Sequence, residues 1–325
     1  MYTMKQQKQV NRENYVIYLG SKCNTNCAYC FAQSGREDIP VSESFLEELS
    51  KKDSLYLKFG GGEPLLYMDK IKLFVKACPQ ADFCIATNGL LISQYIDFLN
   101  ENNIFVHISW DGAKSLRKNN GLTFAVKNLK RWIASATLGC GNSDLFKLIE
   151  EVDKKSEELG FFIPLFVHLA RATNENNKNY VITKKESETF INQFKNIVYW
   201  FMLEYQKFGS INKRYYPFFM FLEEWSNKNL SWGETLCNNR SWQKVDCAGN
   251  RYPCLYVPCK PLKEDWFTAQ QSMIPVECKN CNVYQYCGGG CLMSKNREVE
   301  CNIYKELFTW FPQIKKKMNF TWEKQ

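Results

Sequence analysis

The chain has 325 residues, 45% of them hydrophobic and 15% aromatic, enough for a barrel-sized domain with a smaller one beside it. Its formal charge of +8 counts all 15 cysteines as neutral, and metal-bound thiolates would lower it, so the charge argues for no nucleic-acid partner; the tight basic run Lys315 to Lys317 reads as a solvated helix end. Residues Met1 to Asn14 are polar, unlike a signal peptide, and no segment approaches the ~20 apolar residues of a membrane span, so the expected setting is a reducing cytoplasm with no membrane partner, where clustered cysteines mean metal more often than disulfides.

In chain order, Tyr15 to Leu19 reads as a first strand and runs into a loop carrying Cys23, Cys27 and Cys30. Phe45, Leu46 and Leu49 have helical spacing. A second strand, Leu55 to Phe59, ends at Gly60-Gly61-Gly62-Glu63-Pro64, and Ile71, Phe74, Val75 and Cys78 mark the next helix face, with Asp69 near its start. Phe83 to Ala86 is a third strand ending at Thr87-Asn88-Gly89, followed by a helix on Ile92, Tyr95, Ile96 and Leu99. Ile104 to Trp110 is a fourth strand, followed by Asp111-Gly112. Leu122, Ala125, Val126 and Leu129 continue the helical pattern, with Ile133 at the entry to a fifth strand that ends near Leu138. Ser143 is the expected cap of a helix carrying Leu145, Leu148, Ile149 and Val152, and Phe161 to Leu169 is the sixth strand. Ala172 to Lys185 reads as a polar connector before a long amphipathic helix on Phe190, Phe194, Ile197, Val198 and Phe201. For the aromatic stretch Tyr215 to Trp225, packing against the open side of the barrel is the plainer expectation, with substrate binding as the alternative.

Six βα-type alternations imply parallel strands with helices outside them. They are too few for an eight-stranded barrel, so the expected fold is α/β: a partial (β/α)6 barrel of the TIM type, then a small cysteine-rich domain. The expected boundaries are 1–171 for the barrel, 172–233 for a connector and bridging helices, 234–305 for the cysteine-rich domain and 306–325 for a helical tail. In such folds chemistry sits at the C-terminal strand ends. The cysteine loop, the glycine run, Thr87-Asn88-Gly89 and Ser109 to Gly112 all fall there.

Cys23-x3-Cys27-x2-Cys30 supplies three thiolates in one loop. Such a set can hold three irons of a [4Fe–4S] cube and leave the fourth open to a small ligand, whereas a zinc knuckle wants a fourth ligand nearby, and no His or Cys follows until Cys78. At these residues the chain resembles the radical SAM superfamily. The resemblance implies that the open iron binds S-adenosylmethionine (SAM) and that one electron, from a flavodoxin- or ferredoxin-type donor, releases a 5′-deoxyadenosyl radical. Tyr29, beside the last cysteine, offers an aromatic face for stacking. Gly61-Gly62-Glu63-Pro64 resembles the superfamily's GGEP motif, in which glycines let backbone approach a ligand and Glu63 is expected to accept a hydrogen bond from the SAM ammonium. Asn88 belongs with this cofactor set. Ser109-Trp110-Asp111-Gly112 resembles the S-x-D-G segment, which makes Ser109 and Asp111 SAM contacts, and Arg117 matches an arginine that pairs with the SAM carboxylate in related enzymes. His107 and His168 are expected either to line the cavity or to serve as hydrogen-bonded structural residues, and Cys140 is a candidate hydrogen-atom donor. Cys78 and Cys84 read as buried structural cysteines.

Cys237, Cys254, Cys278-x2-Cys281-x5-Cys287-x3-Cys291 and Cys301 form a second field, which resembles the SPASM extension of peptide-modifying radical SAM enzymes. By that pattern two auxiliary [4Fe–4S] clusters are expected. One uses Cys237, Cys254 and Cys291, with Cys247 preferred over Cys259 as fourth ligand; the other uses Cys278, Cys281, Cys287 and Cys301. A zinc ribbon is the rival reading of the C-x2-C pair. The implied function is hydrogen-atom abstraction from a peptide or protein for post-translational modification. A SPASM enzyme acting on a small molecule, and a non-enzymatic iron–sulfur electron carrier, stay open as alternatives. The layout, with no room before the first strand for a separate peptide-binding domain, is nearest to anaerobic sulfatase-maturating enzymes. In those, an aspartate thought to act as base follows the Tyr-Pro-Cys cysteine, whereas here Leu255 follows Tyr252-Pro253-Cys254, with Asp246 and Tyr256 as conceivable substitutes.

Overall fold

A computed structural model describes residues 12–30, 37–112, 125, 127–173, 177–227, 242–256, 260–262, 273–291, 293–294 and 297–323. Its centre is one parallel sheet of seven strands: β1 Glu13–Tyr18, β2 Leu55–Gly60, β3 Asp82–Thr87, β4 Phe105–Ser109, β5 Trp132–Leu138, β6 Leu165–Leu169 and β7 Trp242–Asp246. The spatial order is β6-β5-β4-β3-β2-β1-β7. Around it lie α1 Glu43–Ser50, α2 Met68–Ala77, α3 Ile92–Glu101, α4 Leu145–Leu159, α5 Lys184–Phe208, α6 Tyr216–Ser226 and α7 Arg297–Lys317.

Strand alternation decides which side chains meet the helices. In β2, Leu55, Leu57 and Phe59 are buried against Phe45, Leu49, Ile71 and Phe74 of α1 and α2, while Tyr56 and Lys58 point the other way. Phe59 meets Phe74 at 5.6 Å between ring centroids and stacks on Phe83 at 6.1 Å. Each such fully buried side chain contributes about 2 kcal/mol. The opposite face carries Val16, Tyr18, Lys58, His107, Ser109 and His168, and it lines the inside of the open barrel.

The six expected strands are present, with three differences. The sixth begins at Leu165 rather than Phe161, because Pro164 lacks an N–H for the ladder and only its carbonyl is used, accepting from Ala134 N at 2.9 Å. The cap of α4 is Asp144, not Ser143: its backbone is extended and its carboxylate accepts from Lys147 N at 3.1 Å, a charge suited to a helix N-terminus. A seventh strand, β7, pairs with the outer edge of β1, Tyr18 opposite Asp246, and buries Val245 in the main core. The boundary expected at 234 therefore precedes a strand of the barrel sheet, and the one at 305 falls inside α7.

The aromatic stretch forms α6, which packs between α5 and α7 rather than against the open side of the barrel. Phe201 stacks on Phe219 at 4.7 Å, and Phe219 meets Phe311 of α7 at 5.8 Å. Lys315 of the basic run is ion-paired with Glu223 at 2.7 Å, so α7 is clamped to α6 by charge as well as by rings. Among the described residues, no helix is long and apolar enough to cross a membrane.

Candidate active site

The cysteine loop is fastened to the strand ends by backbone and side chain together. Past β1 and β2 the ladder continues, with Leu19 N donating to Gly60 O (3.0 Å), Gly62 N to Gly20 O (2.9 Å) and Glu63 N to Lys22 O (2.9 Å). A Cβ on Gly61 would lie 2.4 Å from Gly20 O, and one on Gly62 2.1 Å from Lys22 O. The glycine run thus accepts the entry to the cysteine loop, backbone on backbone, where the motif alone suggested close approach of a ligand. Lys22 N also donates to the Tyr67 hydroxyl at 2.7 Å.

Several of the residues expected to contact SAM tie strand ends together. The Glu63 carboxylate, 2% exposed, accepts from Leu65 N (3.1 Å), the Thr87 hydroxyl (2.6 Å) and Asn88 N (2.8 Å). Three donors on two oxygens occupy most of its capacity. Asn88 in turn reaches the cysteine loop, its Nδ2 donating to Asn24 Oδ1 at 2.6 Å. Pro64 starts the short 3-10 helix that Glu63 caps. Tyr29 does not present a free ring. It is buried, and its hydroxyl bonds to Asp111 Oδ2, while Asp111 Oδ1 accepts from Thr137 N at 2.7 Å. Asp111 is 1% exposed and joins the loop to β5. Ser109 lies half-buried at the end of β4, on the barrel's inner side, as expected. Arg117 falls outside the described residues.

Sequence reasoning missed one member of this network. Asn177, 1% exposed, donates from Nδ2 to Cys30 O at 3.3 Å and accepts from Thr173 N at 3.0 Å. It ties the last loop cysteine to the segment after β6, and nothing in a polar connector singles out one asparagine. Within the loop, the Thr25 hydroxyl lies 3.3 Å from Cys23 Sγ and 3.8 Å from Cys27 Sγ, and Cys30 N donates to Cys27 O at 3.0 Å. Three thiols thus share one short loop held from four sides. Among the described residues, no three Cys, His, Asp or Glu side chains are close enough to share a single metal ion. The donor set fits a polynuclear thiolate group.

The inner wall beside this loop is built by β1 and by the segment after β7. Tyr18, Tyr252 and Leu255 form a separate buried cluster with Val16 and Tyr256 against it. A Cβ on Gly60 would lie 2.6 Å from the Tyr256 hydroxyl, so Gly60 leaves the space that this phenol fills at the head of the glycine run. Asp246 is fully engaged: Oδ1 accepts from Ala248 N (2.8 Å) and Asn250 N (3.0 Å), and Oδ2 from Asn250 Nδ2 (2.9 Å) and the Tyr252 hydroxyl (2.8 Å). His107, half-buried, and His168, exposed toward the open barrel, lie on its inner face, and desolvation there, then the charge of Lys58, lowers the pKa of both.

In the second field, Cys278, Cys281, Cys287 and Cys301 are near enough for their thiols to act on one another. Burial is the main cause that raises Cys278, Cys287 (to about 11) and Cys301, and neighbouring thiols add to it: Cys281 acts on Cys278 and Cys287, and Cys278 on Cys301. Cys254 and Cys291 are half-buried, and Cys237 and Cys259 lie outside the described residues. Cys247 does not join them. Alternation along β7 sends its side chain toward the main core, where its Sγ contacts Tyr18 O at 3.4 Å and burial raises its pKa to about 12. The preference for Cys247 as a fourth ligand is therefore overturned. Cys140 is exposed rather than turned into the barrel; partial burial and the carboxylate of Glu186, at the first turn of α5, raise its pKa. Cys78 and Cys84 are fully buried.

Residues 17–137, which run from β1 through the cysteine loop to β5, match the model of the radical SAM superfamily. They form a radical SAM domain. The whole chain is similar to the cysteine-type anaerobic sulfatase-maturating enzyme of Clostridium novyi, at 22% identity with 89% of this chain and 92% of the relative covered. The radical SAM part is similar to the GTP 3′,8-cyclase of Chlorobaculum tepidum, 36% identical over 38% of this chain and 41% of the relative. Among solved structures, native anSMEcpe with bound AdoMet and Cp18Cys peptide has a TM-score of 0.69 at 20% identity and covers 95% of this chain and 99% of its own. At that identity the likeness is one of fold, and it extends past the radical SAM domain into the second cysteine field.

Proposed function

We propose that the protein is a radical SAM enzyme that modifies a peptide or protein side chain. The observation that carries it is the C-x3-C-x2-C loop fastened to neighbouring strand ends within a radical SAM domain, in a chain of which 89% aligns with a sulfatase-maturating relative. Cys23, Cys27 and Cys30 would hold the SAM-binding cluster, and Ser109 and Asn88 border the space where SAM would lie. When bound, that cluster and SAM supply a 5′-deoxyadenosyl radical for hydrogen-atom abstraction. The chain's own part is positioning and exclusion of water. Glu63, Asn88, Tyr29–Asp111 and Asn177 hold the loop rigid, and Tyr18, Tyr252, Leu255 and Tyr256 form a dry wall beside it.

Cys278, Cys281, Cys287 and Cys301 would hold one auxiliary cluster. Cys237, Cys254 and Cys291 would hold another, without Cys247. Anaerobic reconstitution is expected to give about twelve irons per chain, four for each of three clusters; a colourless, zinc-loaded protein would support the ribbon reading instead. A flavodoxin- or ferredoxin-type donor is the proposed electron source.

Gly62→Ala tests the loop's seat. The added methyl meets the Lys22 carbonyl, which is backbone and cannot swing aside. We expect at least about a tenfold loss of 5′-deoxyadenosine formation, because small misplacements at a reacting centre cost orders of magnitude. Unchanged rates and iron content would show that the cysteine loop does not depend on this contact.

A further inference from the structure

Lys58 has no role in the site described so far. It lies two positions before Gly60 in β2, about 7 Å deeper in the barrel at the rise of a parallel strand. Alternation turns it inward, opposite the buried row of Leu55, Leu57 and Phe59. Strand register sets Lys58 beside Cys84 of β3 and Cys84 beside Phe105 of β4, and ring contacts run from Phe105 to His107 and through Phe166 to His168 of β6. Lys58, His107 and His168 therefore face one chamber, and the charge of Lys58 lowers the pKa of both imidazoles. Aromatic rings line it: Phe105 lies 4.9 Å from His107, and Phe166 lies 6.4 Å from His107 and 4.5 Å from His168. Among the described residues Lys58 makes no hydrogen bond or ion pair. Arg171, the other cation acting on His168, is committed to Glu300 at 3.4 Å.

We infer that this chamber is a subsite for a carboxylate of the substrate peptide, an Asp or Glu side chain or the chain terminus, with Lys58 as its cation and His107 and His168 flanking it. The inference rests on the peptide-modifying function proposed above. Lys58 is half-buried and, among the described residues, has no partner, so its ammonium can pair with an anion that enters the barrel. The imidazoles stay neutral beside Lys58, so each can offer one N–H without adding charge. One positive charge with two neutral donors matches a carboxylate monoanion better than a phosphate dianion. A carboxylate clamped here would sit below the cysteine loop and hold the neighbouring part of the peptide at the strand ends.

The test uses the full chain, anaerobically reconstituted and saturated with SAM, and two acetylated and amidated pentapeptides, Ala-Ala-Glu-Ala-Ala and Ala-Ala-Gln-Ala-Ala, titrated by calorimetry. The Glu peptide is expected to bind about tenfold tighter or better, the scale of a charge-assisted hydrogen bond. Lys58→Met should remove the difference and Lys58→Arg should keep it. Equal affinities for the unaltered chain would overturn the inference without need of any variant. So would a preference that survives Lys58→Met, or a loss in Lys58→Met that falls on SAM affinity, which would assign the carboxylate to SAM. Formation of 5′-deoxyadenosine by the unaltered chain, measured without peptide, checks the underlying enzyme reading separately.

Discussion

Replacing Cys23, Cys27 and Cys30 together by Ala is expected to abolish 5′-deoxyadenosine formation and to lower iron by about four per chain, leaving about eight. The loss of activity should be complete, because all three thiols of the loop are gone. Cys247, Cys78 and Cys84 are buried away from it. The fold should survive. Cys23 is exposed, Cys27 and Cys30 are half-buried, and the contacts that hold the loop use Gly61, Gly62, Asn88, Tyr29 and Asn177 instead of the thiols. The variant should therefore remain folded and brown from its auxiliary clusters yet inert toward SAM. Iron and sulfide analysis, the visible spectrum and chromatographic detection of 5′-deoxyadenosine check this. Continued SAM cleavage would remove the three cysteines from the site.

What was legible in the sequence follows from how local each signal is. The strands β1 to β5 could be read because each carries buried apolar residues at period two and ends at a small or polar turn. β7 could not: Trp242-Gln243-Lys244-Val245-Asp246 is polar, buries only Val245 and Asp246, and becomes a strand by pairing with β1. The same limit applies to the site. Thiol spacing and strand-end glycines are local, so the position of the loop at the strand ends is legible. The hydrogen-bond partners of Glu63, Tyr29 and Asp111 are not, because a carboxylate's partner is a tertiary fact. Tyr29 and Asp111 are 82 residues apart, and Asn177 and Cys30 are 147 apart. Glu63, Asn88, Tyr29 and Asp111 are fastenings of the loop, whatever they bind.

The second large effect is an absence of product. Incubated with SAM, reductant and a peptide carrying a sulfatase-type Cys-x-Pro-x-Arg segment, the reconstituted protein is expected to form no formylglycine detectable by mass spectrometry, despite its likeness to sulfatase-maturating enzymes. Oxidising a Cys side chain to an aldehyde requires deprotonation as well as hydrogen-atom removal, so a base must lie within reach. At the position after Cys254, where the sulfatase maturases carry aspartate, this chain has Leu255, fully buried against Tyr18 and Tyr252. Asp246, the conceivable substitute upstream, is 0% exposed and already accepts four hydrogen bonds. His107 and His168 lie on the inner face of the barrel, but with pKa lowered by desolvation there and by Lys58, they hold a proton poorly at neutral pH. Tyr256 reaches the head of the glycine run, yet a phenol is protonated at neutral pH and is a donor before it is a base. Among the described residues, the wall of Tyr18, Tyr252, Leu255 and Tyr256 offers no carboxylate to take a proton, which suits the proposed cross-linking of a side chain or inversion of a centre better than making an aldehyde. Efficient formation of formylglycine would overturn this and require another group in the barrel to act as the base.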